Sequence, residues 1–199
     1  MIVEDILAFI KAKYEKHHSI NQSFVVGING IDCSGKTTFA KSMSKYFTHH
    51  KVENYRLDID NFNNPAIESA TYKAFVSGSW DEEYLNKYYE LIINYSDAIR
   101  AVSESKKKYP LVILDGIFIY KPQLADLFDL KIYLDINISL GRKRFAKRRS
   151  LKQDKRPFEI YDEIWMLSYI RYESEVHPKQ ISDLVIDYND ESKPVLHEN

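Results

Sequence analysis

Gly30-Ile31-Asp32-Cys33-Ser34-Gly35-Lys36-Thr37 matches G-x-x-x-x-G-K-[ST] at every fixed position, and its setting narrows the fold more than any other stretch of the chain. Before it, Phe24-Val25-Val26-Gly27-Ile28 is a short β-branched run that reads as a buried strand. After it, Phe39, Met43 and Phe47 recur at helical spacing. A loop that joins a buried strand to a helix in this way turns successive backbone N–H groups inward around a phosphate, and the helix adds the positive end of its dipole. Gly30, Ile31, Asp32, Cys33, Ser34, Gly35, Lys36, Thr37 and Thr38 are therefore expected to bind a nucleoside triphosphate. Lys36 would reach its β- and γ-phosphates, and the Thr37 hydroxyl would ligate Mg2+. Cys33 is read as a small residue tolerated by the loop rather than as a reactive thiol.

The remaining pattern alternates strand with helix. Residues 55–59 read as a second strand, Leu111–Asp115 as the most clearly buried one, and Leu130–Asp135 and Leu184–Asp187 as two more. Residues 2–18, 66–77 and 82–102 read as helices. The prediction is one α/β domain over residues 1–199, a three-layer α/β/α sandwich on a five-stranded, mainly parallel sheet. Composition excludes several classes. With 28 basic and 29 acidic residues the net charge is −1, which argues against a general nucleic-acid binder. No apolar run approaches a membrane span, and the N-terminus carries Glu4 and Asp5 where a secretion signal would be basic. The single cysteine excludes a disulfide framework and a thiolate zinc site, and the six histidines show no metal-ligand spacing. A cytoplasmic protein is expected, acting on a small molecule, with neither nucleic acid nor membrane as partner.

Two acidic positions stand out. In an open parallel sheet, ligands bind outside the carboxyl ends of the strands. Strand alternation would put Asp58 and Asp60 on one side, so either could reach the cleft. Asp60 is the candidate to accept a proton from a phosphoryl acceptor. Asp115, closing Leu111-Val112-Ile113-Leu114, is the candidate to hold the metal with Thr37. A strand-end aspartate also serves simply as a turn or cap residue, and the sequence leaves that alternative open. Arg142-Lys143-Arg144-Phe145-Ala146-Lys147-Arg148-Arg149 is a basic helix in which Arg144 and Arg148, four apart, share a face. Such arginines suit the charge that spreads over a transferring phosphoryl group, although a basic helix alone is more often solvated surface. Tyr84, Tyr88, Tyr89 and Tyr95 recur at near-helical spacing and read more readily as core than as a stacking surface.

Taken in order, these segments resemble the uridine kinase-like family of P-loop kinases, the group that also includes phosphoribulokinase and pantothenate kinase. The resemblance lies in Asp60-Asn61-Phe62 followed by Asn64-Pro65, in Asp115-Gly116-Ile117-Phe118, and in the closing Ser182-Asp183-Leu184-Val185-Ile186-Asp187. It covers roughly residues 22–189. It implies a kinase using ATP and Mg2+, with Asp60 as base, Asp115 near the metal, and Lys36, Arg144 and Arg148 stabilising charge. It also implies a helical lid at about residues 138–158, an acceptor region including Phe62, Asn94, Tyr95 and Arg171, and membership of a group that often forms homo-oligomers. Two departures bear on the acceptor. Asn94-Tyr95-Ser96-Asp97-Ala98-Ile99 stands where uridine kinases have Asp-His-Pro-Asp-Ala-Phe, and residues 100–109 leave no room for their base-recognising hairpin. A nucleoside such as uridine or cytidine is the expected acceptor. The alternatives are another hydroxyl compound, such as pantothenate or nicotinamide riboside, or a non-catalytic ATP-binding switch.

Overall fold

The computed structural model describes residues 2–17, 22–153 and 156–199, so position 18 of the expected N-terminal helix and positions 154 and 155 of the expected lid lie outside the described residues. Helix α1 (Val3–His17) precedes β1 (Phe24–Asn29), and the phosphate-loop segment leads into α2 (Lys36–His49). Next come β2 (Asn54–Asp58), a 3-10 turn (Ile59–Phe62), α3 (Pro65–Ser77), α4 (Glu82–Leu91) and α5 (Tyr95–Lys106). Strand β3 (Leu111–Asp115), the short α6 (Pro122–Ala125), β4 (Leu130–Asp135) and α7 (Ile138–Lys152) follow. A π-helical turn (Tyr161–Trp165) runs into α8 (Met166–Val176), and β5 (Leu184–Asp187) and β6 (Val195–Glu198) close the chain.

The sheet order is β2-β3-β1-β4-β5-β6, parallel throughout except for the last pair. Among the described residues the sheet has six strands where five were expected. The sixth escapes sequence reading because Val195–Glu198 is short, largely exposed and follows Pro194, so it shows no buried alternation. Every residue of β1 and β3 is buried, as strands covered on both faces must be. The chain leaves β1 for β2 on one side and later crosses to β4 on the other. The carboxyl end of β1, between β3 and β4, is therefore the switch point where such sheets open a crevice. Among the described residues, no helix is long and apolar enough to cross a membrane.

Two local departures from the expected pattern shape the crevice. The second strand ends at Asp58, whose side chain accepts a hydrogen bond from the Asp60 backbone N–H at 3.2 Å and so starts the 3-10 turn. Asp60 therefore sits on a turn and shares no strand face with Asp58. The expected helix over 82–102 is two helices. Between them the Asn94 backbone N–H donates to Phe62 O (2.8 Å) and Ile92 O accepts from Asn64 N–H (2.6 Å), which ties the break to the turn after β2. Asn94 then caps α5, its side chain accepting from the Asp97 N–H.

Buried hydroxyls brace the switch point from behind. Tyr172 of α8 accepts hydrogen bonds from Asn29 Nδ2 (2.7 Å) and from the Tyr120 backbone N–H (3.1 Å). The Tyr120 hydroxyl lies 2.8 Å from Gly27 O and 2.9 Å from Ile132 O, bonding across β1 and β4. Directly after β3, Gly116 passes so close to the turn after β2 that a Cβ there would lie 1.9 Å from Ile59 Cγ2. Gly116→Ala must push Ile59 out of the core, and we expect it to destabilise the fold by about 3 kcal/mol in urea unfolding.

Candidate active site

The glycine loop has the backbone its sequence requires. A Cβ on Gly30 would lie 2.6 Å from Leu134 O, and Gly35 adopts φ +100° at the start of α2, both positions that only glycine fills without strain. The first turn of α2 carries no side-chain cap, and the buried Ser34 hydroxyl has no hydrogen-bond partner. A uncapped helix N-terminus, a cradle that a methyl group would fill and an orphaned hydroxyl together fit a phosphate chain. The Lys36 ammonium folds over this cradle and donates to Gly30 O (2.9 Å) and Ile31 O (2.8 Å). Burial pushes the Cys33 thiol pKa up, so the thiol stays protonated beside the loop.

The strand ends deliver the carboxylates. Asp115 is wholly buried. Its Oδ2 accepts from Thr37 Oγ1 at 2.8 Å and its Oδ1 from the Arg56 guanidinium at 2.6 Å. Burial and then Asp58 raise its pKa, while the Thr37 hydrogen bond and Arg56 pull it back. The donors Thr37 and Asp115, with Asp58 beside them, are the hard oxygen ligands a Mg2+ ion takes. Among the described residues no cluster of three or more His, Cys, Asp or Glu could hold a metal alone.

Asp60 faces the cleft at the edge of this group. It keeps an open flank toward the cleft, yet the walls withdraw its carboxyl from bulk water. That desolvation, followed by the charges of Asp32 and Asp58, pushes its pKa up to about 6 against the opposing pull of Lys36. From α7, Arg144 donates to Ser34 O (3.2 Å) and pairs with Glu191 at 3.0 Å, clamping the helix to the outside of the loop. Arg148 lines the space between the loop and Asp60. Arg142 points away and pairs with Asp162.

Three cavities run together. The first, about 270 Å3, lies over Lys36, Thr37 and Thr38 and reaches Asp58 and Asp60. It shares Asp32, Asp60, Ile117 and Arg148 with a second of about 350 Å3 that also touches Asn63 and Phe118. The second shares Glu68, Tyr88, Arg156 and Trp165 with an outer chamber of about 540 Å3, walled by Tyr72, Ile160 and Ile164. The strands thus supply the phosphate end, and α3, α4 and the π-helical turn supply the far end.

The sequence-predicted residues divide accordingly. Asp32, Cys33, Gly35, Lys36, Thr37, Thr38, Asp60, Arg144 and Arg148 line the first cavity. Gly30 forms the cradle, and the Ile31 side chain is buried. Ser34 and Asp115 lie at the loop and the strand end already described, and Phe62, Asn94, Tyr95 and Arg171 do not line these three cavities. Phe62 packs on the core, Asn94 caps α5, and the Tyr95 hydroxyl is buried without a partner. Arg171 is held by Asn86, Glu90 and Glu175 and lies 4.3 Å from the centre of the Tyr89 ring. Sequence reasoning missed Arg56, Glu68, Arg156 and Trp165, and passed over Tyr88 as one of a tyrosine stripe. For Arg56 there was a signal: a lone cation two residues before Asp58, on the same strand face.

No family model matches the chain. It is 30% identical over 207 aligned residues to the pantothenate kinase of Streptococcus pneumoniae (strain JJA), an alignment covering 88% of this chain and 66% of that protein. The chain thus spans just under two thirds of that relative's length. It is 29% identical over 164 residues to nicotinamide riboside kinase 1 of Homo sapiens, covering 78% of this chain and 79% of that protein. Its fold matches a structure described as a possible uridine kinase from Bacillus stearothermophilus, with a TM-score of 0.65 and 17% identity over 92% of this chain and 98% of that one. By these likenesses in sequence and fold, the chain belongs to the uridine kinase-like group of P-loop kinases.

Proposed function

We propose that this protein transfers the γ-phosphate of ATP to a hydroxyl of a small molecule, with Asp60 as the base. The observation that carries this reading is the continuity of the cleft. The cavity over the phosphate loop adjoins, along Asp60 and Arg148, a second cavity of about 350 Å3, which has room for an acceptor. A nucleotide-binding switch has no use for that second space.

The residues take roles accordingly. The loop N–H groups and the α2 N-terminus hold the phosphates, and Lys36 exchanges its contacts with Gly30 O and Ile31 O for β- and γ-oxygens. Thr37 and Asp115 would hold Mg2+, which when bound offsets charge on the β- and γ-phosphates. The acceptor hydroxyl lies against Asp60, gives its proton to that carboxylate, and its oxygen attacks the γ-phosphorus in line. Arg148 meets the charge on the transferring group, and Arg144, anchored to the loop and Glu191, holds the lid helix over it. The acceptor proposed is a nucleoside-type molecule such as uridine or cytidine. A polar chamber beside Asp60 suits a sugar, and an outer chamber lined by Trp165, Tyr72 and Tyr88 suits a flat heteroaromatic ring. Nicotinamide riboside fits the same description. Pantothenate, the acceptor for which the Streptococcus relative is named, is the second candidate.

A panel of these compounds, scored by ADP release from Mg-ATP, tests the proposal. One acceptor should stimulate release many-fold, and stimulation by none of them overturns the nucleoside and pantothenate readings together. Asp60→Asn should bind ATP normally and lower kcat by roughly 10²–10⁴. Because the base must be ionised and its carboxyl pKa is about 6, acceptor kcat/KM should be flat above neutrality. It should then fall about tenfold per pH unit below about 6, in a limb absent from Asp60→Asn. Tyr88, whose hydroxyl burial keeps un-ionised near Asp32, Glu68 and Asp60, should donate to the acceptor. Tyr88→Phe is expected to raise acceptor KM by about three- to tenfold while leaving KM for ATP unchanged.

A further inference from the structure

The sheet itself places Arg56 beside the strand-end acids Asp58 and Asp115. Strands β2 and β3 run parallel with Asp58 opposite Asp115 and Arg56 opposite Ile113. The two-residue period of β2 puts Arg56 and Asp58 on one face. From there the Arg56 guanidinium reaches Asp115 Oδ1 at 2.6 Å and lies 3.6 Å from Asp58 Oδ2, largely shielded from solvent. Thr37 Oγ1 occupies the other oxygen of Asp115. Both oxygens of the buried acid are thus already paired, and Arg56 offsets the negative charge on which a divalent cation would otherwise settle.

We propose that Arg56 is a positioning residue that keeps a free divalent cation off the Asp58–Asp115 pair, so that the metal enters only with the phosphates of the nucleotide. The inference rests on the reading of Thr37 and Asp115 as metal ligands. Before nucleotide binds, Arg56 offsets part of the charge of Asp58 and Asp115, and an added dication would face a guanidinium in contact with its own carboxylate ligand. The triphosphate brings several negative charges to the cradle, and the balance then favours a cation beside Thr37. Arg56 also holds the Asp115 carboxylate in one orientation, with Oδ2 turned toward Thr37.

The test uses Mn2+ as the probe, followed by the electron paramagnetic resonance signal of the free ion, on the whole protein with and without a non-hydrolysable ATP analogue. Wild type should show weak Mn2+ binding alone and tight binding with the analogue. Arg56→Gln, which can still donate a hydrogen bond to Asp115 but carries no charge, should bind Mn2+ without nucleotide at least about tenfold more tightly than wild type. Arg56→Lys, which keeps the charge, should behave like wild type, and a merely structural role for Arg56 predicts no such rescue. Tight Mn2+ binding by nucleotide-free wild type overturns the proposal, even if Arg56→Gln does not fold. So does unchanged Mn2+ affinity in Arg56→Gln, or an equal gain in Arg56→Lys. If the analogue brings no Mn2+ to wild type, the metal-ligand reading itself fails and the proposal falls with it. If the analogue brings Mn2+ but Arg56→Gln changes nothing, only the role of Arg56 is lost.

Discussion

A carboxylate with no exposed surface at the end of a central strand is costly unless both of its oxygens are bonded, and much of the cleft is organised around meeting that demand at Asp115. Thr37 must lie in the first turn of α2 to reach one oxygen, which fixes how the helix leaves the phosphate loop. Arg56 must lie on β2, in register with β3, to reach the other, which fixes the neighbouring strand. Loop, helix and two strands are thus tied at one group. Charge-assisted hydrogen bonds of this kind are roughly twice as strong as neutral ones, and in a buried site they also specify a single arrangement.

The hydroxyl network behind the loop does related work from the other side. Asn29 bonds Tyr172, Tyr172 also accepts from the backbone of Tyr120, and Tyr120 bridges carbonyls of β1 and β4. Burial pushes the pKa of both tyrosines far up, so they remain neutral donors and acceptors. The loop is therefore held on one side by an ionic contact and on the other by an uncharged network from α8, the helix that follows the acceptor wall.

The chain's legibility follows from how local each feature is. The phosphate loop demands fixed residue types at fixed spacing between a buried strand and a helix, so its signature lies within a few consecutive residues. Most of the parallel sheet was readable because β1, β3, β4 and β5 are largely buried runs. The edge strand Val195–Glu198 was not, being exposed and short. The pairing of Asp58 with Asp60 by strand alternation gave way because the Asp60 backbone N–H donates to the Asp58 carboxylate and begins a turn one residue too soon. Tyr88 and Tyr89 are neighbours in sequence, but on a helix they point about 100° apart. One lines the cleft, and the other is buried with its hydroxyl on Glu175. No local pattern distinguishes them. The far chamber draws on α3, α4 and the segment around residues 156–165, and only the folded chain brings these together.

That division of the cleft has an evolutionary reading. The donor half hangs on strand ends, where a change of residue disturbs register, a buried charge or a close backbone approach, as at Gly116 beneath Ile59. The half proposed for the acceptor is formed by helices and a π-helical turn, and its lining side chains Glu68, Tyr72 and Trp165 lie outside the sheet and its ties. Drift can therefore act on the two halves at different speeds. On the proposed reading, a chain built this way can exchange one acceptor for another by changes to a helical wall while its phosphate end stands still.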